Sequence, residues 1–387
     1  MVDETIIFDR KFNDYARKYF IRDGKYNDAE LAKTMQADTN FMKEHICQLL
    51  LYYDSVCFNV YGENMLIPFL IKTFSQKGFE NLLEQKAIRF LLETTSIMHI
   101  EKPHPAIQPL CSATMSSEVH KNPQASLEEG LRRCIIPMDR KYKRSISRKI
   151  LNNFKVHPEN INKNILESVN KSYMANLFEK QGLSAIKDLR ELDSKESMLL
   201  NRIAQQYLDL AIISYFHYYS NDNYDLNIMS NSELEILKNT NKIEKYTDKT
   251  FQFEKVPNFK ILIQDGKITP EDIPKLRQNK NSIKFRKWIS SVSKQDFDSY
   301  DCKEYLDSID KSKNFWTSNA GRCLKTISVN TVSTILAPAT FGLSLIVGNG
   351  LSLLDEFYIN SLLKNWSPRF FFSETLNPII KTKSNYQ

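Results

Sequence analysis

Three residues have the side chains that metal-dependent hydrolysis of nucleic acid would require. Glu84 and Lys86 form a Glu-x-Lys motif, and Asp54 lies upstream of it. In such nucleases carboxylates hold the metal ion, and a neighbouring lysine helps to activate the attacking water. The motif normally lies on a strand, whereas this sequence predicts that Glu84 lies in a helix or just after one. We keep Asp54, Glu84 and Lys86 as candidate catalytic residues of the least favoured of three functional hypotheses.

A strongly basic stretch between residues 132 and 149 offers a second chemistry, the binding of anions. It contains eight basic residues and one acidic residue, Asp139, so its charge of +7 equals the formal excess of the whole chain. An exposed basic helix attracts nucleic acid or an anionic membrane. Tyr142 is the only aromatic residue among the cations, so the stretch has few side chains on which bases could stack. A local run of charge is commonly a solvated helix face instead. The candidate anion-binding residues are Arg132, Arg133, Arg140, Lys141, Lys143, Arg144, Arg148 and Lys149.

The histidines and cysteines do not have the spacing of a metal site. Zinc ligands usually occur in pairs roughly two to five residues apart. Only His99 and His104 approach that spacing, and Pro103 lies between them. The chain also lacks the phosphate-binding G-x-x-x-x-G-K-[ST] loop, the dinucleotide-binding G-x-G-x-x-G motif and the G-x-S-x-G motif of serine hydrolases. We therefore expect no metal and no cofactor, and we lean against an enzymatic function.

The segment 326–354 contains 29 residues and no charged side chain. It is long enough to cross a bilayer of about 30 Å. A third of it is polar, however, and it includes Pro338 and Asn349. Two interpretations follow: a buried pair of helices, which we favour, or a segment that acts on a membrane.

The composition is typical of a globular and mainly helical protein. A length of 387 residues suggests two or three domains, and only 10 glycines leave little material for folds rich in glycine turns. Six scattered cysteines without a C-x-x-C pair and an acidic first segment predict a cytoplasmic protein. In the membrane hypothesis, this protein associates with a membrane on activation.

The pattern of apolar residues predicts a mainly α fold, with a small N-terminal α+β part and a helical C-terminal domain. We expect an N-terminal α+β domain over 1–100, a proline-rich arm and the basic stretch over 101–159, and a helical C-terminal domain over 160–387. In that last domain, Thr269 to Asp272 has the pattern of a capping box. In the first, the predicted helices are 7–52, 63–76 and 79–85, and the predicted strands are 55–60, 87–92 and 96–100.

Aromatic residues are predicted to anchor the C-terminal helices. Phe285 and Trp288 lie three residues apart, on one face of a helix. Trp366 and the triplet Phe370 to Phe372 are expected to fasten the end of the chain to the same core.

Several groups of residues resemble patterns that recur in uncharacterised bacterial proteins. They are Gly62-Glu63-Asn64 with Ile67 to Leu70, Gly78, Leu82-Leu83 and Ala87 to Phe90; Val256 to Phe259 with Gly266 to Ile268, Leu276-Arg277 and Phe285 to Trp288; and Gly342-Leu343, Asp355-x-Phe357 and Trp366-x-Pro368. The resemblance would cover most of the chain. It implies an accessory or mobile-element gene and thus an association with anti-phage defence, but it implies no particular reaction.

Three functional hypotheses result. The leading one is a bacterial defence or stress effector, without a recognisable catalytic motif, that acts on a membrane or a protein partner through 326–354. The alternative is a nucleic-acid-binding protein that uses the basic stretch 132–149, and the third is the metal-dependent nuclease. The expected partners are nucleic acid, an anionic membrane or a protein encoded nearby, and a homo-oligomer is compatible with all three.

Overall fold

The computed structural model of the chain divides into two compact units, residues 4–237 and residues 1–3 with 238–387. The structure describes residues 4–21, 28–158, 160–184, 187–220, 259–293 and 366–384. The uncharged segment 326–354 lies outside the described residues, so its role as a buried or membrane-active segment stays a prediction.

A parallel sheet of five strands lies at the centre of the first unit. The strands of this unit are β1 (Ile6–Asp9), β2 (Ser55–Val60), β3 (Ile88–Leu92), β4 (Thr95–His99), β5 (Leu110–Thr114), β6 (Phe154–Val156) and β7 (Tyr219–Ser220). The sheet has the order β6-β3-β2-β1-β7, and each neighbouring pair is parallel. β4 and β5 form a separate antiparallel pair. Every residue of β2 is buried, as expected for a central strand of a parallel sheet with both faces covered.

Helices follow most of these strands. They are α1 (Lys11–Ala16), α2 (Asp28–Tyr52), α3 (Leu66–Glu84), α4 (Pro123–Arg132), α5 (Arg140–Leu151), α6 (Ile161–Met174) and α7 (Ser194–Phe216). A π-helical turn over Arg17–Ile21 continues α1, and short 3-10 turns span Glu118–His120, Glu179–Gln181 and Leu189–Glu191. Helices α3, α4 and α5 pack on one another, and α6 packs on α7.

Successive side chains of a strand point to opposite faces of the sheet. Phe8, Cys57 and Leu91 share one face, where they pack in one apolar cluster with residues of α6 and α7. The positions two residues further along β1, β2 and β3 are Arg10, Asn59 and Glu93, which are polar. The apolar face under α6 and α7 therefore ends in polar side chains at the carboxyl ends of the strands.

The sequence predicted part of this unit correctly. The predicted strand 55–60 coincides with β2, and the strands predicted over 87–92 and 96–100 correspond to β3 and β4. The two helices predicted over 63–76 and 79–85 form one helix, α3, with a kink at Ser75, whose φ is 64°. The Ser75 hydroxyl accepts a hydrogen bond from the Gly78 backbone N–H at 3.3 Å. Gly78 therefore lies in the turn after the kink, within α3.

Two predictions for the first 126 residues differ from the structure. The helical segment predicted over 7–52 begins with the strand β1, because a run as short as Ile6 to Phe8 shows no period of its own. The segment 101–126, predicted as an arm, contains β5 and the start of α4. Pro123 occupies the first turn of that helix, where its missing N–H costs nothing. The first compact unit also extends beyond residue 100, since β6 and β7 complete its sheet.

In the second unit, most of the described residues are helical. The helices are α8 (Phe259–Gln264), α9 (Ile273–Gln278), α10 (Lys280–Ser293), α11 (Pro368–Phe370) and α12 (Asn377–Ser384), with a 3-10 turn over Pro270–Asp272 and a π-helical turn over Phe371–Leu376. The predicted capping box is present, because Asp272 Oδ2 accepts hydrogen bonds from the Thr269 N–H and hydroxyl at 2.8 and 2.9 Å. The chain is thus mainly helical with a sheet in its N-terminal part, which confirms the predicted fold class at that level.

The predicted aromatic anchors of the second unit are buried, with the exception of Phe370, which is exposed. The rings of Phe285 and Trp288 stack with centroids 5.7 Å apart, and the Phe371 ring stacks on Phe285 at 4.3 Å. Trp366 is buried and donates a hydrogen bond from Nε1 to Asn281 Oδ1 at 3.1 Å. Among the helices in the described ranges, none combines the length and the apolar character needed to cross a membrane.

Candidate functional site

The carboxyl edge of the parallel sheet carries a cluster of buried polar side chains. Proteins with open parallel sheets place their ligands at this edge, outside the ends of the strands. Arg10 follows β1, Asn59 lies near the end of β2, Glu93 follows β3 and His157 follows β6. Because these strands are neighbours in the order β6-β3-β2-β1, their ends bring the four side chains together. We call these residues, with Asn13 and Asp209, the edge network.

Glu93 is the centre of the edge network. Its Oε2 atom accepts hydrogen bonds from Arg10 Nη2 at 2.7 Å, from Asn59 Nδ2 at 2.6 Å and from Asn13 Nδ2 at 3.5 Å. The residue is 0% exposed. Its other oxygen, Oε1, is also buried, and it has no hydrogen-bond partner in the described part of the chain. One oxygen of this carboxylate is therefore fully used, and the other remains unsatisfied.

Arg10 connects Glu93 to helix α7. Its Nε atom donates to Asp209 Oδ1 at 2.8 Å, while its Nη2 atom donates to Glu93. Burial alone would lower the pKa of Arg10, but the Asp209 and Glu93 carboxylates outweigh burial and hold that pKa above its ordinary value. Gln205 Nε2 also donates to Asp209 Oδ1, at 3.1 Å. The guanidinium thus stays charged and joins the sheet edge to the helix that covers it.

His157 closes the other end of the edge network. Its Nε2 atom lies 3.0 Å from Asn59 Oδ1. Since an amide oxygen only accepts, Nε2 carries the proton and Nδ1 carries a lone pair. Nδ1 is buried and has no partner within the described ranges. Burial, helped by the charge of Arg10, lowers the pKa of His157 to about 3, so the imidazole is neutral near pH 7.

A second buried pair lies close to the end of β1, at Asp9. Its Oδ2 atom lies 2.6 Å from His45 Nε2, on helix α2, and its Oδ1 atom accepts a hydrogen bond from the Phe12 N–H at 3.4 Å. Both side chains are buried. Asp9 points away from the face that carries Arg10, because the two residues are consecutive. The pair therefore fastens α2 to the sheet and is separate from the edge network.

Helix α5 contains most of the basic residues that the sequence singled out. Ile146 and Ile150 are buried against the protein, and the Tyr142 hydroxyl donates to the Gln76 carbonyl at 2.8 Å. The Asp139 side chain caps the helix by accepting from the Tyr142 N–H at 2.7 Å. The opposite side of the helix faces solvent. We call its exposed cations the basic face: Arg140, Lys141, Lys143, Arg144 and Arg148.

The three other basic candidates are neutralised locally. Arg132 and Arg133 donate to Glu129 at 2.8 and 2.6 Å. Lys149 lies 2.7 Å from Glu80 and 2.6 Å from Glu84. By contrast, no acidic side chain among the described residues forms an ion pair with any cation of the basic face. The structure thus divides the predicted stretch into a paired part and an unpaired part.

The candidate nuclease residues lie at the amino edge of the sheet, opposite the edge network. Asp54 precedes β2 and its Oδ2 atom accepts a hydrogen bond from the Thr5 N–H at 3.1 Å. Glu84 ends α3 and pairs with Lys149. Lys86 is exposed in the turn before β3, with a φ of 54°. In the described part of the chain, no group of three or more His, Cys, Asp and Glu side chains could hold a metal ion.

Sequence reasoning missed the edge network, although part of its signal was available. Asn59 and Glu93 lie at or just after the ends of two strands that were predicted, so their polar side chains could have been assigned to one sheet edge. Arg10 and His157 follow β1 and β6, which were not predicted. Asp209 lies in the middle of α7, where nothing in the sequence distinguishes it.

Comparison with protein-family models, with curated proteins and with solved structures finds no match to this chain. The first unit is a parallel α/β protein with a buried polar network at the carboxyl edge of its sheet and an exposed basic helix on its surface.

Proposed function

We propose that the protein binds nucleic acid through the basic face of helix α5. The observation that supports this proposal is the set of five exposed cations without an acidic partner among the described residues. A surface of this kind attracts the phosphate backbone, and it supplies affinity without reading the bases.

The arrangement of the cations works against the stability of the helix itself. Arg140, Arg144 and Arg148 are spaced four residues apart, so their side chains lie in one row and repel one another. Each such like-charge pair costs about 0.2–0.5 kcal/mol. Arg140, Lys141 and Lys143 also lie near the N-terminus of the helix, where the helix dipole disfavours positive charge. A bound polyanion would relieve both effects.

The dimensions of the row suit an extended phosphate backbone. With a rise of about 1.5 Å per residue, its arginines are spaced about 6 Å apart along the helix axis. One strand of a duplex presents a phosphate about every 3.4 Å of its axis. Adjacent arginines can therefore contact different phosphates of the same strand.

The packing of α5 favours nucleic acid over a membrane surface. A helix that lies in a membrane interface needs an apolar face to bury among the lipids. In α5 the apolar residues Ile146 and Ile150 are buried inside the protein instead. Tyr142 is half-buried with its hydroxyl bonded to Gln76, so it is not free to stack on a base. We therefore expect binding that depends on phosphate charge and only slightly on sequence.

A charge-reversal variant tests the proposal. The triple variant Arg140→Glu, Arg144→Glu and Arg148→Glu is expected to bind a 20-base-pair duplex about a hundredfold more weakly, or worse, because charge-assisted phosphate contacts are lost. The matched control is Lys163→Glu, Lys171→Glu and Lys180→Glu, which makes the same change in net charge at exposed positions elsewhere in the unit. Electrophoretic mobility shifts measure both.

Two outcomes would overturn the proposal. In the first, both triple variants lose the same affinity, which would mean that only the net charge matters. In the second, the wild-type protein binds vesicles that contain phosphatidylserine but does not bind duplex or single-stranded oligonucleotides. That result would assign the basic face to an anionic membrane.

A further inference from the structure

The edge network leaves two buried hydrogen-bonding atoms without a partner in the described part of the chain. They are Oε1 of Glu93 and Nδ1 of His157, and the two residues are 0% and 3% exposed. Asn59 joins the two residues, because it donates to Glu93 Oε2 and accepts from His157 Nε2. Both unsatisfied atoms therefore belong to one hydrogen-bonded chain at the carboxyl edge of the sheet.

Both atoms are acceptors. The Glu93 carboxylate forms an ion pair with the Arg10 guanidinium at 2.7 Å, and a carboxylate in an ion pair only accepts hydrogen bonds. His157 has its proton on Nε2, so Nδ1 presents a lone pair. A buried polar atom without a hydrogen-bond partner destabilises the folded protein. A molecule that relieves this destabilisation must bring hydrogen-bond donors.

The surroundings favour a neutral donor over a cation. Arg10 already occupies Oε2 of the same carboxylate at 2.7 Å, so a second cation at Oε1 would lie close to a like charge. The charge of Arg10 also acts on His157, whose pKa it helps to lower. Hydroxyl groups donate hydrogen bonds without carrying charge. They therefore fit both acceptors better than an ammonium group does.

We propose that the edge network binds the hydroxyl groups of a small polyol, either a free sugar or cyclitol or the ribose of a nucleoside. The carboxyl edge of a parallel sheet is where such folds hold their ligands, and a carboxylate at a strand end commonly accepts from a sugar hydroxyl. In this site Glu93 Oε1 and His157 Nδ1 accept from two hydroxyls, while Arg10 and Asn59 hold the two acceptors in place. This site is independent of the basic face of α5.

Calorimetric titration of the full chain tests this proposal. The probes are D-ribose, myo-inositol and adenosine, with 2′,3′-dideoxyadenosine as the analogue that lacks both ring hydroxyls. We expect at least one hydroxylated probe to bind, and binding of adenosine alone would identify the nucleoside as the source.

A variant of the central carboxylate tests the role of Glu93. Glu93→Gln replaces an accepting oxygen by a donating amide, and it is expected to weaken binding about tenfold or more. Glu101→Gln, at an exposed position, is the matched control.

A measurement on the wild-type protein covers the case in which Glu93→Gln does not fold. In nitrogen-15 NMR, the Nδ1 resonance of His157 should move on addition of the bound probe, because that atom gains a hydrogen bond. The proposal is overturned if none of the three hydroxylated probes binds up to its solubility limit. It is equally overturned if the dideoxy analogue binds as well as adenosine, or if a probe binds without moving the Nδ1 resonance.

Discussion

Replacing Arg10 by methionine is expected to lower the free energy of unfolding of the first unit by about 3–5 kcal/mol. Arg10 is the cation that donates to both Glu93 and Asp209, whose side chains are 0% and 6% exposed. Methionine keeps much of the volume but leaves both carboxylates without this cation. The penalty is large because one partner of a buried ion pair is removed while the others stay buried.

The measurement must report on the first unit alone, since a chain of two units need not unfold in one step. All three tryptophans, Trp288, Trp316 and Trp366, lie beyond residue 237, so tryptophan fluorescence does not serve. Hydrogen exchange of the backbone amides in β2 and β3 reports the stability of the first unit specifically. The control is Arg17→Met, which removes an exposed arginine that donates to the Tyr61 hydroxyl at 3.1 Å. We expect Arg17→Met to lower the free energy of unfolding by about 1 kcal/mol or less. An equal loss in both variants would contradict the role given to Arg10.

Lowering the pH from 7 to 5 is expected to cost the first unit about 2 kcal/mol of stability through His157 alone. Burial holds the pKa of this imidazole at about 3 in the folded protein, against an ordinary value of 6.5. Below pH 6.5 the unfolded chain therefore binds a proton that the folded protein does not bind. The stability contributed by the neutral histidine is complete above pH 6.5, and it falls as the pH decreases towards 3.

The variant His157→Gln isolates this contribution. Glutamine keeps a donor for Asn59 Oδ1 but does not titrate. The pH dependence of exchange in β2 and β3, corrected for the intrinsic rate, should be shallower between pH 7 and pH 5 in this variant than in the wild type. His104→Gln removes an exposed histidine and controls for the loss of an imidazole as such. An identical pH dependence in His157→Gln and wild type would show that His157 is not held neutral.

The two strands in the middle of the sheet could be predicted from the sequence. Ser55 to Val60 and Ala87 to Leu92 have β-branched and aromatic residues in short runs closed by turns, and they form β2 and β3. The strands β6 and β7 have three and two residues, and β1 has four. Runs of that length are too short to show the alternation of apolar and polar residues that indicates a strand. The pairing of these three strands therefore depends on the tertiary structure. Without them the number and the order of the strands in the sheet could not be predicted.

The same limit explains what was missed in the edge network. Asn59 and Glu93 could be placed at one edge from the two predicted strands, but their partners could not. The bond between Arg10 and Asp209 joins residues 199 positions apart, and that between Asn59 and His157 joins residues 98 apart. No local pattern encodes contacts of this kind.

The basic stretch shows the opposite case. Its charge and its helical character follow from the sequence alone. Which cations remain unpaired depends on the position of Glu80 and Glu84 beside Lys149, and on Glu129 beside Arg132. Packing of α5 on α3 decides the first of these. The sequence therefore predicts a basic helix, but it does not predict which five of its cations remain unpaired.

The salt dependence of binding to a duplex tests the proposed function most directly. If the five cations of the basic face contact phosphates, the logarithm of the association constant should fall with the logarithm of the salt concentration with a slope of about −4 to −5. Fluorescence anisotropy of a labelled 20-base-pair duplex gives this slope for the wild type and for the triple variant of Arg140, Arg144 and Arg148. A slope that is clearly shallower in the variant is expected. A wild-type slope near zero, or the same slope in both proteins, would contradict binding through α5.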